Sequence, residues 1–242
     1  MDDNIAEYNN EAATYDKSRF SNDLGRHLDY MHKKILGSLI DLSGKLVLEA
    51  GIGTGRFGTW LAKQGFDVVG IDISKEMLKK TKEKTRFANV DVEVVIADVH
   101  FLPFRKGLFD SCICINVMDH FSNFDEFFRQ VRQVIKPQGS LIFNFSNSQS
   151  PYLPIATIIN LSQHALFKSQ ILSRWLTFKE VSVSLLSASF RIKNVRGCMI
   201  ASPIPFGERL VRIVRSINLV SERSRLRFFS GSVFVKAETN IR

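Results

Sequence analysis

The chain has 242 residues with a net charge of +9, and 45% of its residues are hydrophobic. This length allows one large α/β core, and no apolar run approaches the roughly 20 residues that a membrane-spanning helix requires. The first residues are acidic and polar and predict no secretory signal. The three cysteines have no metal-ligand spacing, so we expect a cytoplasmic protein without a metal.

The positive charge is concentrated near the C-terminus. Residues 1–170 contain 20 Lys/Arg and 20 Asp/Glu, whereas residues 171–242 contain 13 Lys/Arg and only 4 Asp/Glu. The whole excess therefore lies in the last third of the chain. Binding of a cofactor does not account for such a segment, which suggests an anionic surface or partner.

The predicted elements begin with two helices, at residues 5–20 and 24–40, whose apolar side chains recur at helical spacing. Strands are then predicted at 45–50, 67–72, 92–96, 109–115 and 140–146, with helices at 55–64, 74–86 and 123–136. A further helix at 177–187 precedes two last strands, at 188–192 and 231–236. Strands separated by helices predict a parallel sheet with helices on both faces.

A glycine-rich turn follows the first strand. The strand ends near Glu49, and three glycines follow at alternate positions: Gly51, Gly53 and Gly55. Glycine lets backbone N–H groups approach a ligand without a Cβ in the way, and the next helix points its positive end at the same place. The third glycine comes one position too early for a dinucleotide fingerprint, and no phosphate-loop pattern occurs. The turn therefore predicts a cradle for another nucleotide-type cofactor.

Two further acidic residues follow later strands. Asp72 ends the second strand, 17 residues after Gly55, and is followed by Ile73. Asp98 and Val99 follow the third strand and lead into the sequence Leu-Pro-Phe. A carboxylate at the end of the strand beside the glycine turn can accept hydrogen bonds from ribose hydroxyls.

The pattern Glu-x-Gly-x-Gly-x-Gly, with Asp72 and Asp98 at these distances, resembles the class I S-adenosylmethionine-dependent methyltransferases of the small-molecule, ubiquinone/menaquinone group. The resemblance is strong over residues 8–146 and weak elsewhere. It implies a doubly wound α/β fold with a seven-stranded, mostly parallel sheet whose last strand is antiparallel, and it implies S-adenosyl-L-methionine as cofactor. We expect one domain over residues 1–242. Its additions are expected to be lid helices at 4–40, an insertion at 148–175 and a basic decoration at 198–230.

The resemblance also implies where the cofactor lies: the methionine part over the glycine turn, the ribose on Asp72 and the adenine by Asp98. Tyr15 resembles the aromatic residue of an N-terminal lid, with Arg19 one helical turn further on; alternatively, both residues pack one face of a docking helix. The complete set expected to bind the cofactor is Glu49, Gly51, Gly53, Gly55, Asp72, Ile73, Asp98, Val99, Asn116, Tyr15 and Arg19.

The acceptor is expected above the end of the fourth strand, because open α/β sheets bind ligands at that edge. His120 is the candidate general base, since an unperturbed imidazole titrates near neutrality; alternatively, it caps the next helix or hydrogen-bonds the loop. Asp119 either orients a catalytic partner or caps that helix. Asn116 is not followed by the Pro-Pro-aromatic sequence of amino-directed DNA methylases, which makes a nucleic-acid acceptor unlikely.

Residues 205–220 have apolar side chains at helical spacing, with Arg209, Arg212 and Arg215 offset from them. Such a basic amphipathic helix, with the charges of Arg223, Arg225 and Arg227 just beyond it, predicts peripheral contact with an anionic membrane through residues 205–227. Alternatively, the helix is a lid that packs on its own domain. With the apolar insertion, it favours a hydrophobic small-molecule or lipid-precursor acceptor, methylated on oxygen or carbon. The alternatives are an RNA methyltransferase, although the segment has few aromatics for base stacking, and an inactive cofactor-binding interaction module.

Overall fold

The computed structural model describes residues 2–41, 43–121, 123–151, 153–154, 174–198 and 222–239. The helices are α1 (Asp2–Glu11), α2 (Tyr15–Phe20), α3 (Asp23–Leu39), α4 (Arg56–Lys63), α5 (Lys75–Ala88), α6 (Phe124–Val134) and α7 (Phe178–Ser187). The strands are β1 (Leu46–Ala50), β2 (Asp67–Asp72), β3 (Glu93–Ile96), β4 (Phe109–Cys114), β5 (Ile135–Ser146), β6 (Phe190–Cys198) and β7 (Ser232–Thr239). Short 3-10 helices lie at Met118–His120 and Arg225–Phe229.

The seven strands form one sheet in the order β3-β2-β1-β4-β5-β7-β6. The strands β1 to β5 pair in parallel, and β7 runs antiparallel between β5 and β6. Helices cover both faces, so the central strands are continuous apolar runs rather than alternating ones. The predicted fold class, a doubly wound and mostly parallel sheet with an antiparallel last strand, is confirmed.

Two hydrophobic clusters hold the helices against the sheet. On one face, α6 buries Phe127 and Phe128, and the Phe128 ring centroid lies 5.3 Å from that of Phe143 in β5. On the other face, α3 buries Met31 and Ile35 in a cluster that includes Val47 of β1. Because the strands β1 to β4 run in one direction, their carboxyl ends lie together at one edge of this packed sheet.

The N-terminal segment differs from the prediction of one helix over residues 5–20. The chain forms two helices, α1 and α2, separated by a turn. Thr14 donates from both its N–H and its Oγ1 to the carbonyl oxygen of Glu11, at 2.9 and 3.3 Å. Such local hydrogen bonds give the backbone an alternative to a continuous helix.

The strands β5 and β6 are longer than predicted. β5 begins at Ile135, where the sequence predicts the end of a helix, and β6 continues to Cys198. Pro137 lies within β5, where the pairing with β4 shifts between Phe109 and Ser111. An irregularity of this kind tolerates a residue that lacks an N–H donor.

Much of the C-terminal half lies outside the described residues. This applies to most of the predicted insertion, to residues 199–221 of the basic decoration, and to the whole predicted amphipathic helix at 205–220. Within the described ranges, no helix combines the length and apolar character needed to cross a membrane.

Candidate active site

A cleft opens at the carboxyl edge of the sheet, where β1, β2, β3 and β4 end. It encloses about 1090 Å³ of empty space, part of which is open to solvent. Clefts at this edge are the usual ligand sites of open α/β sheets. Both α1 and α2 contribute side chains to its lining.

The glycine turn between β1 and α4 forms one wall of the cleft. Gly51 has a φ of +75°, and a Cβ there would lie 2.5 Å from a methyl carbon of Val117. This position therefore requires glycine both for its backbone conformation and for space. Gly55 caps α4 with a φ of +75° and does not line the cleft. A Cβ at Gly55 would lie 2.7 Å from the methyl carbon of Thr81 in α5, so glycine leaves room for that side chain.

Asp72 joins the glycine turn to the end of β2. Its Oδ2 accepts a 2.8 Å hydrogen bond from the Gly53 N–H, and its Oδ1 accepts a 2.9 Å bond from the Ser74 N–H. A carboxylate has about four lone-pair sites, so acceptor capacity remains after these backbone hydrogen bonds. Burial raises the pKa of Asp72, although its backbone hydrogen bonds oppose this effect. The carboxylate is thus fixed in orientation and can accept from two vicinal hydroxyls.

Glu49 is a buried acid at the base of the cleft, with only 2% of its surface exposed. Burial raises the pKa of Glu49 to about 8, while the charge of Arg56 and the Gly58 N–H oppose the shift. Its Oε2 is buried without a hydrogen-bond partner among the described residues. A buried, incompletely paired carboxyl that lines a ligand cleft is suited to a cationic group.

Asp98 and His100 form a pair at the end of β3. Oδ1 of Asp98 accepts from both the N–H and the ring Nδ1 of His100, at 2.9 and 2.8 Å. The His100 ring also packs edge-on against Phe121, with centroids 5.1 Å apart. Both members of the pair line the cleft, next to Val99.

The N-terminal helices cover the cleft and are tied to its walls. Tyr8 of α1 and Tyr15 of α2 line it. Arg19 does not, but its guanidinium lies 4.3 Å from the centre of the Tyr15 ring and pairs with Glu11 at 3.0 Å. Tyr15 therefore lines the cleft, and Arg19 packs against its ring from behind; the lid role of Tyr15 stays a prediction.

Two polar contacts fasten these helices to loops that line the cleft. Asp16 of α2 accepts from Thr54 Oγ1 at 2.7 Å and from Lys84 Nζ at 2.5 Å. Asn9 of α1 accepts from Ser74 Oγ at 2.7 Å. One tie ends on the glycine turn and the other on the residue that caps α5, so the lid is fixed at both sides of the cleft.

His120 and Asn116 line the part of the cleft beyond β4. Burial, and next the positive charge of Arg19, lowers the pKa of His120 to about 4. Its Nδ1 is buried without a hydrogen-bond partner in the described ranges. The Tyr8 ring meets it edge-on, with centroids 5.9 Å apart. The imidazole is therefore neutral at neutral pH and does not cap the following helix, whose cap is Asn123.

Asn116 is held by β5 rather than left free. Its backbone has a φ of +61°, and its N–H donates to Asn144 Oδ1 at 2.7 Å. Asn144 Nδ2 donates back to Asn116 Oδ1 at 2.9 Å. This reciprocal pair fixes the loop that carries His120.

Asp119 neither faces the cleft nor caps a helix. Its two carboxylate oxygens accept from the N–H and the Oγ of Ser146, at 2.8 and 2.6 Å. Burial raises the pKa of Asp119, and the Ser146 hydrogen bonds oppose this. Both roles considered for Asp119 from the sequence are therefore replaced by a structural one, which ties the 3-10 helix to β5.

The cleft brings together most of the predicted residues. Those that line it are Glu49, Gly51, Gly53, Asp72, Ile73, Asp98, Val99, Asn116, Tyr15 and His120. Gly55, Arg19 and Asp119 lie behind this surface. Sequence reasoning missed the lining residues Ile5, Ile52, Thr54, Arg56, Phe57, Met77, Ala97, His100, Ile115, Val117 and Phe121, and it placed Tyr8 only on a helix face. Among the described residues, no three His, Cys, Asp or Glu side chains form a potential metal site.

Comparison with known proteins identifies this site. Residues 48–143 match the family described as methyltransferase domain, and they include the glycine turn, Asp72, Asp98 and His120. The chain contains a class I S-adenosylmethionine-dependent methyltransferase domain. S-Adenosylmethionine is accordingly its methyl donor.

Individual relatives of the methyltransferase domain are distant. The ubiquinone biosynthesis O-methyltransferase of Rickettsia canadensis is 26% identical over 174 residues, which cover 70% of this chain and 72% of the relative. A possible histamine N-methyltransferase from Thermotoga maritima has a similar fold, with a TM-score of 0.67, 16% identity and coverage of 95% and 98%. Magnesium protoporphyrin IX methyltransferase from Synechocystis, solved with bound SAH, gives a TM-score of 0.63, 18% identity and coverage of 90% and 88%. The similar structures establish the fold alone.

The side chains in the cleft fit the donor of the methyltransferase domain. The unpaired oxygen of Glu49 suits its cationic methionine end, and the two oxygens of Asp72 have acceptor capacity for its ribose hydroxyls. We propose that these residues, the glycine turn and the Asp98 turn hold it as the sequence predicts.

Proposed function

We propose that this methyltransferase transfers a methyl group to a hydroxyl of a small, mainly apolar aromatic acceptor, with His120 accepting the hydroxyl proton. The observation that carries the proposal is the unpaired Nδ1 of a neutral His120 in the cleft beyond β4. Aromatic side chains line the same cleft, among them Phe121 and Tyr8, whose ring meets His120 edge-on.

The chemistry of this transfer has one requirement that the protein must meet. When bound, S-adenosylmethionine supplies an electrophilic methyl group on a cationic sulfonium, and the departing thioether is neutral. Attack by a hydroxyl oxygen releases one proton, which needs an acceptor close to that oxygen. The neutral imidazole of His120 can take it. The lost positive charge is then replaced by the imidazolium, and the total charge in the cleft is unchanged.

The lowered pKa of His120 bears on the kind of acceptor. The lowered pKa of His120 makes it a weak base, so the proposal favours the more acidic hydroxyl of a phenol or catechol over that of an alcohol. The charge of Arg19, which contributes to the lowered pKa, also favours a developing phenolate over a cationic amine. These two effects support an aromatic O-acceptor over an amine acceptor.

The named relatives also support an acceptor that is not a macromolecule. One relative is an O-methyltransferase of ubiquinone biosynthesis, and one structural neighbour is a magnesium protoporphyrin IX methyltransferase. RNA remains the competing acceptor because of the basic C-terminal third. The cleft speaks against it, since two N-terminal helices tied down at Asn9 and Asp16 cover its entrance.

A comparison of four acceptors tests the proposal. Protein with radiolabelled methyl donor is given a prenylated catechol, the same catechol without the prenyl tail, the aniline analogue and a short single-stranded RNA. We expect label on the catechol oxygen, and more of it with the tail. Label only on the amine or the RNA, or on none of the four, contradicts the proposal. Asp72→Ala is the control that weakens donor binding, and Asp67→Ala, at the exposed start of the same strand, is its matched control.

A further inference from the structure

The turn after β3 contains a histidine that the proposed methyl transfer does not use. His100 lines the cleft beside Asp98, and 12% of its side chain is exposed. Its ring Nδ1 lies 2.8 Å from Asp98 Oδ1, and its own N–H donates to the same oxygen at 2.9 Å. Both hydrogen bonds that described residues make to the Asp98 side chain therefore go to Oδ1.

This arrangement fixes the orientation of the carboxylate. A side chain held through one oxygen by two donors from a single residue cannot rotate without breaking both bonds. The second oxygen, Oδ2, is then presented in one direction as an acceptor. An aspartate without such a partner samples several rotamers, and it loses entropy when a ligand fixes one of them.

The same bonds determine the tautomer of His100. A carboxylate oxygen only accepts, so the hydrogen lies on Nδ1 of the ring. In the neutral ring, Nε2 is then an acceptor, and it is buried without a hydrogen-bond partner among the described residues. The two ring nitrogens point in divergent directions, so the Nε2 lone pair faces away from the carboxylate to which Nδ1–H is directed. The acceptor that this arrangement presents to a ligand is therefore Asp98 Oδ2, and a donor such as an exocyclic amine is the complementary group.

We propose that His100 is a positioning and specificity residue for the nucleobase of the methyl donor. It holds Asp98 so that Oδ2 accepts from the exocyclic amine of adenine and disfavours a base that has a carbonyl at that position. The proposal rests on the donor lying with its adenine at Asp98, and it is independent of the methyl acceptor.

Calorimetry with two ligands tests this role without any acceptor. S-Adenosylhomocysteine carries the amine, and S-inosylhomocysteine has a carbonyl in its place. We expect the wild-type protein to bind the first at least tenfold more tightly, because a carbonyl oxygen cannot donate to Asp98 Oδ2 and leaves this acceptor unpaired. His100→Ala should weaken binding of S-adenosylhomocysteine about tenfold and reduce the preference to about threefold or less.

Two further variants separate this role from damage to the turn. His100→Asn keeps an N–H donor near the position of Nδ1 and should restore most of the preference. Phe101→Ala changes the adjacent, 72% exposed side chain and should bind both ligands as the wild type does. The proposal is overturned if the wild type shows no preference, if His100→Ala retains it, or if Phe101→Ala loses it equally. An unchanged preference in a protein that fails to label a catechol would contradict only the acceptor proposal.

Discussion

The backbone N–H of Gly53 donates a 2.8 Å hydrogen bond to Oδ2 of Asp72, and this bond links the glycine turn after β1 to the end of β2. One carboxylate therefore sets the relative position of the two loops on which we propose the methyl donor is held.

We expect Asp72→Ala to weaken binding of S-adenosylhomocysteine by about 1–3 kcal/mol, because the ribose hydroxyls lose their acceptors and the Gly53 tie is lost. Isothermal calorimetry measures this directly. Asp67→Ala, at the other end of β2 and exposed, should leave the affinity unchanged. Equal affinities for wild type and Asp72→Ala would show that the ribose is bound elsewhere.

The raised pKa of Glu49 predicts that this carboxyl releases a proton when S-adenosylmethionine binds. Burial raises its pKa to about 8, so in the free protein the carboxyl is largely protonated below that pH. A cationic ligand favours the carboxylate and lowers this pKa, and the affinity should therefore increase as the pH rises from about 5 to 8. Calorimetry in two buffers of different ionisation enthalpy measures the proton. Glu49→Gln should abolish its release, whereas exposed Glu93→Gln should not; proton uptake by the wild type would contradict the expectation.

Glu49 also predicts a dependence of folding stability on pH in the ligand-free protein. Its folded pKa of about 8 lies above the ordinary value of 4.5. Its contribution to the free energy of unfolding is therefore complete below about pH 4.5 and is lost as the pH rises through 8. Denaturant titrations at pH 5 and pH 8.5 should show a smaller decrease in stability for Glu49→Gln than for the wild type. A decrease of the same size in both would exclude Glu49 as its source.

If His120 accepts the hydroxyl proton, replacing it should impair catalysis without weakening cofactor binding. With a catechol that accepts label, His120→Ala should lower kcat by about 10²-fold while leaving the affinity for S-adenosylhomocysteine unchanged. Because the pKa of His120 is about 4, the wild-type rate should show no histidine inflection between pH 5.5 and 7.5. A near-normal rate in the variant, or loss of cofactor affinity, would return His120 to a structural role.

The predicted amphipathic helix at 205–220 lies outside the described residues, and membrane contact stays a prediction. Each of Arg209, Arg212 and Arg215 would add about 1 kcal/mol at an anionic surface, and salt should weaken the association. We expect the protein to sediment with phosphatidylserine-rich liposomes at low salt. Replacing the three arginines by glutamine should abolish this while the affinity for S-adenosylhomocysteine is kept. A wild type that never sediments with such liposomes would leave the segment a lid or a partner contact.

The sequence was most informative where local pattern and chain direction suffice. Glu49, Asp72 and Asp98 follow parallel strands, so their convergence at one sheet edge follows from topology. Other features depend on tertiary contacts that a sequence does not display. The carboxylate of Asp119 lies away from the cleft because it accepts a hydrogen bond from Ser146, which is 27 residues further along the chain. His100 becomes informative only because the turn brings its ring against Asp98.

The break between α1 and α2 shows the same limit. Helical spacing continues through residues 5–20, but Thr14 bonds back to Glu11 and ends the first helix. The break matters for the site because Tyr8 and Tyr15 lie on different helices and both reach the cleft. Hydrophobic periodicity predicts which side of a helix is buried. It does not reveal a local hydrogen bond that interrupts the helix.

The position of β7 has a consequence for how the chain folds during synthesis. β7 lies between β5 and β6 and pairs with both along seven and eight residues, although it is made after either of them. Until residues 232–239 have left the ribosome, β5 has an open edge and β6 has no strand to join. The loops that surround the methyl donor belong to β1 through β4, which are complete by then. A ribosome-bound chain stalled before residue 232 should therefore already hold the elements of the donor site, while its sheet edge is still open to chaperones or to other unfinished chains.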